Sequence, residues 1–201
     1  MKFNQKKIED AINSLLPKII EIRQHLHSNP ELSLVEYKTS KFIKEQLSFL
    51  DLDVLPPFLE TDVVALLNGN NSDKNVTLRA DIDALPIIEK NEFTYCLENN
   101  GIMHACGHDG HTAILLGAAI ILEQFKELLN GSVRFIFQPG EEIVATGKEL
   151  VSSGVLDNPI PNAVLALHGW PGYPIGNICS RPGTLMAVAD VFKLTMKGKQ
   201  I

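Results

Sequence analysis

The sequence predicts an α/β protein, a sheet carrying helices on its faces, and three observations carry that prediction. Helix-period segments alternate with strand-like runs along the chain. The strand-like runs are short, apolar and rich in β-branched residues. Polar side chains collect just beyond their carboxyl ends, which is where open α/β sheets gather their ligands. At 201 residues, 45% hydrophobic and 21% charged, the chain is long enough to bury a real core, and one domain is the default.

The first segment places Ile8, Ile12, Leu15, Leu16, Ile19, Ile22 and Leu26 at three- and four-residue steps, so it reads as an amphipathic helix, with Pro17 expected to kink or divide it. A second helix is expected over about Glu36 to Leu50, with Phe42, Ile43, Leu47 and Leu50 on its apolar face, before "LDVLPPFLE" breaks the pattern. "DVVALLNG" and "NVTLRADIDALP", separated by the turn-rich "NGNNSDK", read as two adjacent strands. "HTAILLGAAIILEQFKELL" is a strongly apolar helix with Asp109 available to cap its start. "GSVRFIFQPGEE" is a strand stopped by Pro-Gly. A short helix follows, about Lys148 to Ser153, ending at Gly154. "NAVLALHGW" is a further strand ending in His168, and "ADVFKLTMKGKQI" alternates like a strand at the end of the chain.

Composition excludes several classes of function. A net charge of -6, with no cluster of five or more Lys/Arg, argues against nucleic acid as a partner. The start "MKFNQKKIEDAINSLLPKII" lacks the apolar core of a secretory signal, so a cytoplasmic location is expected. The longest apolar run, Ala113 to Leu122, is about half the roughly 20 residues that span a bilayer, so no membrane segment is expected. The three cysteines, Cys96, Cys106 and Cys179, form no paired framework and read as reduced thiols.

Chemistry concentrates in "MHACGHDGH", Met103 to His111. Cysteine two residues before histidine is, alone, better read as a polar loop with one buried thiol. Other donors turn that reading toward a metal: Asp81 and Asp83, Glu141 and Glu142, and His168 all fall at strand ends. On an unbroken strand Glu141 and Glu142 would point to opposite faces. The Pro139-Gly140 break lets one carboxylate bind metal while its neighbour faces the activated water, the division that hydrolysis needs. No G-x-S-x-G elbow supports a serine nucleophile. A closed structural zinc site fits these mixed ligands less well than an open reactive one.

Six blocks, "RQHLHSNPELSLVEYKT", "LRADIDALP", "MHACGHDGHTAILLGAA", "VRFIFQPGEE", "LHGWPGYPIGNI" and "RPGTLMAVADVF", run in order from Arg23 almost to the end of the chain. Together they resemble the metal-dependent amidohydrolases of the aminoacylase and carboxypeptidase superfamily, in the branch of hippurate hydrolase, N-acyl-amino-acid amidohydrolases and indole-acetyl-amino-acid hydrolases. Two small departures are the glycine of "QPGEE", where alanine is usual, and the block "HSNPE".

The resemblance implies a mixed, mostly parallel sheet of the zinc-peptidase type. It implies an incomplete catalytic domain over 1–184 and the start of a lid and dimerisation domain over 185–201. Cys106, His108, Glu142 and His168 are implied as ligands of two divalent ions (zinc, manganese, cobalt or nickel), Glu141 as the general base, and Asp81 as an acid supporting the ligands. His104, Asp109 and His111 match the motif but read equally as loop hydrogen bonding and capping, and Cys96 and Cys179 read as inert. The implied reaction is hydrolysis of N-acyl amino acids by metal-activated water, with the full-length form a homodimer. Relatives are longer, and a later segment supplies one more histidine, so a second expectation stands beside the first. In it the 201-residue chain is a catalytically silent fragment that keeps a partial metal site or acts as a binding module.

Overall fold

The computed structural model describes residues 4–70, 74–96, 101–144, 146–186 and 192–198. It contains two compact units, Met1–Gly169 and Trp170–Ile201.

In the first unit, helices α1 (Gln5–Ser28) and α2 (Tyr37–Leu47) precede strands β1 (Asp53–Val54), β2 (Val63–Asn68) and β3 (Asn75–Asp81). Helix α3 (His108–Gln124), strand β4 (Ser132–Gln138), short helices α4 (Glu141–Val144) and α5 (Gly147–Ser152), and strand β5 (Ala163–Ala166) complete it. The sheet is mixed, in the order β1-β2-β4-β3-β5. β4 pairs parallel with β3 and antiparallel with β2, and β3 pairs parallel with β5.

The expectation that the strands of "DVVALLNG" and "NVTLRADIDALP" are neighbours is corrected here, because β4 lies between them. The reason is burial. β4 is buried at every position, and a strand covered on both faces belongs in the middle of a sheet. Pro17 neither divides nor ends α1, which runs unbroken through it; Asn4 caps the start by accepting the Lys7 N–H at 3.4 Å.

Alternation along the central strands separates two apolar layers. Val63, Ala65 and Leu67 of β2 and Val133, Phe135 and Phe137 of β4 meet Ile22 and Leu26 of α1, Ile43 and Leu47 of α2, and Leu115, Leu116 and Ala119 of α3. On the opposite face Val64 and Ile136 pack with Leu150 of α5 and Val155. Arg134 shares that outward register and is fully buried; its guanidinium donates to the Pro159 carbonyl at 2.7 Å and to Thr77 Oγ1 at 3.4 Å. β5 differs from the central strands, since all four of its residues are exposed.

The sheet matters to function because β3 and β4 run parallel in register, Asp81 opposite Gln138. Their carboxyl ends therefore release the segments beginning Ile82 and Pro139 side by side, and the Ile82 N–H donates to the Gln138 carbonyl at 3.0 Å. Two glycines make the turns that follow. Gly107 (φ 89°) starts α3 and Gly140 (φ 62°) starts α4, both in the left-handed region that a side chain disfavours.

In the second unit the described residues form turns and irregular segments, with no helix or strand among them. Phe192–Gly198, predicted as part of a final strand, is exposed and unpaired with any strand among the described residues; the flanking residues 187–191 and 199–201 lie outside them. Among the described residues no helix is long and apolar enough to cross a membrane.

Candidate functional site

Four chain segments meet beyond the carboxyl ends of β3 and β4. Asp81 and Asp83 come from the end of β3, Cys106 and His108 from the turn into α3, Glu141 and Glu142 from the first turn of α4, and His168 from just after β5. Donor atoms of Cys106, His108 and His168 lie within 4.8 Å of one another, as do those of His108, Glu141 and Glu142, and those of Asp81, His108 and His111. All six site residues singled out in the sequence thus fall in one cluster, with His108 common to each group.

Hydrogen bonds orient the imidazoles. His108 Nδ1 sits 2.9 Å from the Asp83 carbonyl oxygen and 3.2 Å from Asp83 Oδ1, both acceptors, so the network assigns its proton to Nδ1 and turns Nε2 inward. That Nε2 is 3.8 Å from Glu142 Oε1 and 3.8 Å from Asp81 Oδ2. His168 is held alike: Nδ1 donates to the Gly169 carbonyl at 2.7 Å, and Nε2 faces Cys106 Sγ at 3.4 Å. His111 is turned the other way, because its Nε2 accepts the Gly169 N–H at 2.8 Å and is occupied.

The carboxylates are positioned from behind. Asp83 accepts from Ser33 Oγ at 2.6 Å and from the Glu142 N–H at 3.0 Å, so one side chain fixes both His108 and the start of α4. Arg79 clamps Asp81 through an ion pair, donates to Asp81 Oδ2 at 3.0 Å, and reaches Gln138 Oε1 at 3.0 Å. Glu36, fully buried, accepts the Gly140 N–H at 2.8 Å, the Leu34 N–H at 2.9 Å and the Thr61 hydroxyl at 2.7 Å. It pins the turn that presents Glu141 and Glu142.

The electrostatics follow from crowding anions in a buried place. Burial raises Asp81 to about 6 against the pull of Arg79 and His108. Burial also opposes ionisation of Asp83, but the hydrogen bonds from His108, Ser33 and the Glu142 N–H outweigh it and bring its pKa to about 2. Burial and then the Glu142 carboxylate push the Cys106 thiol to about 12. Burial works against a charged His108, yet Asp83, Asp81 and Glu142 raise its pKa, so a positive charge is favoured where these groups converge. His104 and His111 show the opposite case: burial lowers each to about 4, which keeps both neutral.

This cluster fits a metal centre. His108 Nε2 and Glu142 Oε1 are buried with no hydrogen-bond partner among the described residues, a costly state for polar atoms that a cation would relieve. Thiolate, imidazole and carboxylate together suit zinc or another late first-row divalent ion. A cation held among these carboxylates would offset the field that keeps the proton on Cys106 and favour its thiolate.

Three residues were not legible as contributors. Asp83 falls at a strand end, and only its spacing of two from Asp81 marks it in the sequence. Arg79 and Glu36 carried none, since beyond their near neighbours Asp81 and Leu34 they reach Gln138, and Thr61 and Gly140, across 59, 25 and 104 positions. Asp109 does not cap α3: its carboxylate is buried and meets Arg23 Nε at 2.9 Å and His27 Nδ1 at 2.8 Å, and the capping position is Gly107, with no side-chain cap. The cap expectation fails because Asp109 is the second residue of α3, past the capping position, and α1 brings Arg23 and His27 to its carboxylate.

Comparison with known proteins finds relatives in sequence and in fold. The sequence profile of peptidase family M20/M25/M40 matches residues 77–197. The chain is 43% identical over 188 residues to an N-acetyl-L-cysteine deacetylase of Bacillus subtilis, covering 94% of this chain and 45% of that protein. It is 41% identical over 197 residues to an N-acyl-L-amino acid amidohydrolase of Geobacillus stearothermophilus, covering 97% of this chain and 52% of that protein. The chain spans about half the length of the curated relatives it matches. Among solved structures, a dinuclear metal binding peptidase of the M20 family from Bacillus subtilis superposes with a TM-score of 0.77 at 40% identity, over 82% of this chain and 46% of the other. A putative aminohydrolase from methicillin resistant Staphylococcus aureus gives a TM-score of 0.77 at 39% identity, over 83% and 42%.

Proposed function

The chain belongs to peptidase family M20/M25/M40, and on that premise we propose that it carries the metal site and general base of an amidohydrolase that deacylates N-acyl amino acids. The observation that carries this reading is the meeting of His108 with Cys106 and His168 on one side and with Glu141 and Glu142 on the other, donor atoms in each group within 4.8 Å. Relatives named for deacetylation of N-acetyl-L-cysteine and for N-acyl-L-amino acid hydrolysis support the substrate class.

Cys106, His108, Glu142 and His168 would hold two divalent ions, and Asp81, clamped by Arg79, adds negative charge beside them. Bound there, such ions polarise an amide carbonyl and acidify water. The chain's own part is proton handling and orientation. Glu141 stands beside Glu142 at the start of α4, one residue past a left-handed glycine, and serves as the base that takes a proton from the attacking water and returns it to the leaving amine. Asp83 keeps His108 in the tautomer that presents Nε2. His104 and His111, held neutral by burial, add no competing positive charge.

The test uses this chain extended by the C-terminal half of a close homologue, assayed for hydrolysis of acetyl and benzoyl amino acids with zinc or manganese. About two ions bound at this centre per chain, and amide hydrolysis, are expected. In the double variant Cys106→Ala, His108→Ala the metal content should fall; unchanged metal would remove the centre. The 201-residue chain assayed alongside is expected to be markedly less active. Equal specific activity would mean that these residues suffice.

A further inference from the structure

A second cluster of ligating side chains lies between α1 and the segment joining β3 to α3. His27, on the last turn of α1, points Nε2 at Glu89 Oε1 at 2.9 Å; Cys96 Sγ is 3.0 Å from the same oxygen and 3.8 Å from Nε2. These three atoms form a group compact enough to hold an ion, and none of the three residues belongs to the centre described above. His27 is 4% exposed, and Cys96 is partly buried.

We propose that His27, Glu89 and Cys96 form an additional zinc site that fastens the segment Glu89–Cys96 to α1. Three features support it. The spacing is right: tetrahedral zinc with bonds of about 2.0–2.3 Å sets its ligand atoms roughly 3.3–3.6 Å apart, and the three separations here are within about half an ångström of that. The imidazole is already oriented. With zinc on Nε2, which lies 2.9 Å from Glu89 Oε1, the Nδ1–H donates to Asp109 Oδ2 at 2.8 Å, an arrangement that supports metal-binding histidines generally. Charge also balances, because a divalent cation matches the Glu89 carboxylate and a Cys96 thiolate, while Asp109 is offset by Arg23 at 2.9 Å.

The surroundings favour a fastening role. Tyr95 sets its ring edge on His27 with centroids 5.4 Å apart, stacks on Phe93 at 5.3 Å, and lies under the Arg23 guanidinium at 5.1 Å. Ser28 Oγ donates to the Tyr95 carbonyl at 2.6 Å. Glu89 Oε1 also accepts from Asn91 at 3.0 Å, so the carboxylate is fixed before any ion arrives. Cys96, which read as inert in the sequence, gains its meaning from residues 69 and 7 positions away. Zinc displaces the thiol proton to solvent on binding.

The test needs no variant to begin. The wild-type chain, loaded with zinc or stripped by a chelator, is pulsed with iodoacetamide, and the three cysteine peptides are quantified by mass spectrometry. Cys96 should alkylate about tenfold or more slowly in the zinc form, as expected of a coordinated thiolate. Cys96→Ser should lower bound zinc by about one ion per chain without changing the protection of Cys106. Equal Cys96 alkylation with and without zinc, or an unchanged zinc count in Cys96→Ser, overturns the proposal. Because Cys106 reports on the other centre in the same digest, failure of the hydrolase reading is seen separately.

Discussion

Glu141→Gln in the extended enzyme is expected to keep its metal and lose turnover by about 10²- to 10⁴-fold, the scale on which a general base acts. The amide is nearly isosteric with the carboxylate and leaves Glu142, His108 and Cys106 untouched, so binding and proton transfer separate cleanly. The loss should fall on kcat, with KM little changed, because the proton moves in the transition state and not on substrate binding. Metal analysis alongside the kinetics decides the matter. Turnover near that of the parent would reject Glu141 as the base, and loss of metal with loss of turnover would make it a ligand instead.

The largest effect on stability is expected at Glu36. Glu36→Ala leaves the Gly140 N–H, the Leu34 N–H and the Thr61 hydroxyl without their buried acceptor, and three lost hydrogen bonds of this kind cost about 3–5 kcal/mol in total. Leu34 adds to this. Its φ of 67° places a leucine in the left-handed region, which costs roughly 1–2 kcal/mol and needs the surrounding contacts to persist. Glu36→Gln retains the shape and one acceptor and should be at least as stable as the parent at neutral pH. Burial raises the Glu36 pKa above 4.5, so the folded state favours the protonated acid. The stabilisation from that preference is complete below 4.5 and is lost as pH rises through the folded value. Glutamine mimics the protonated form at every pH, so its advantage over the parent should be greatest near neutrality and shrink toward pH 4.5. Denaturant midpoints for the three proteins across that range check the sign. An alanine variant within about 1 kcal/mol of the parent would mean that Glu36 does not hold the turn.

Sequence by itself determined the elements and the donors. Periodicity marks α1, α2 and α3 because a helix buries one stripe, and β-branched runs mark β2, β3 and β4 because a buried strand has little use for polar residues. The Pro-Gly after β4 and the cysteine and histidines before α3 are local signals, readable without knowing what lies opposite them. Family blocks then joined those donors into one site.

Tertiary structure alone decided how the pieces face each other. The place of β4 between β2 and β3 depends on which strand is covered on both faces, and that is a property of the packed helices rather than of any one run of residues. The tasks of Asp83, Arg79 and Glu36 rest on partners up to 104 positions away, as in the Glu36 bond to the Gly140 N–H. Asp109 gives the plainest case. Its place near the start of α3 predicts a cap, yet the helix begins one residue earlier, at His108, and α1 brings Arg23 and His27 within 2.9 Å of the carboxylate. Local sequence reports what a side chain can bond, whereas which bond forms is set by the groups that folding brings into reach.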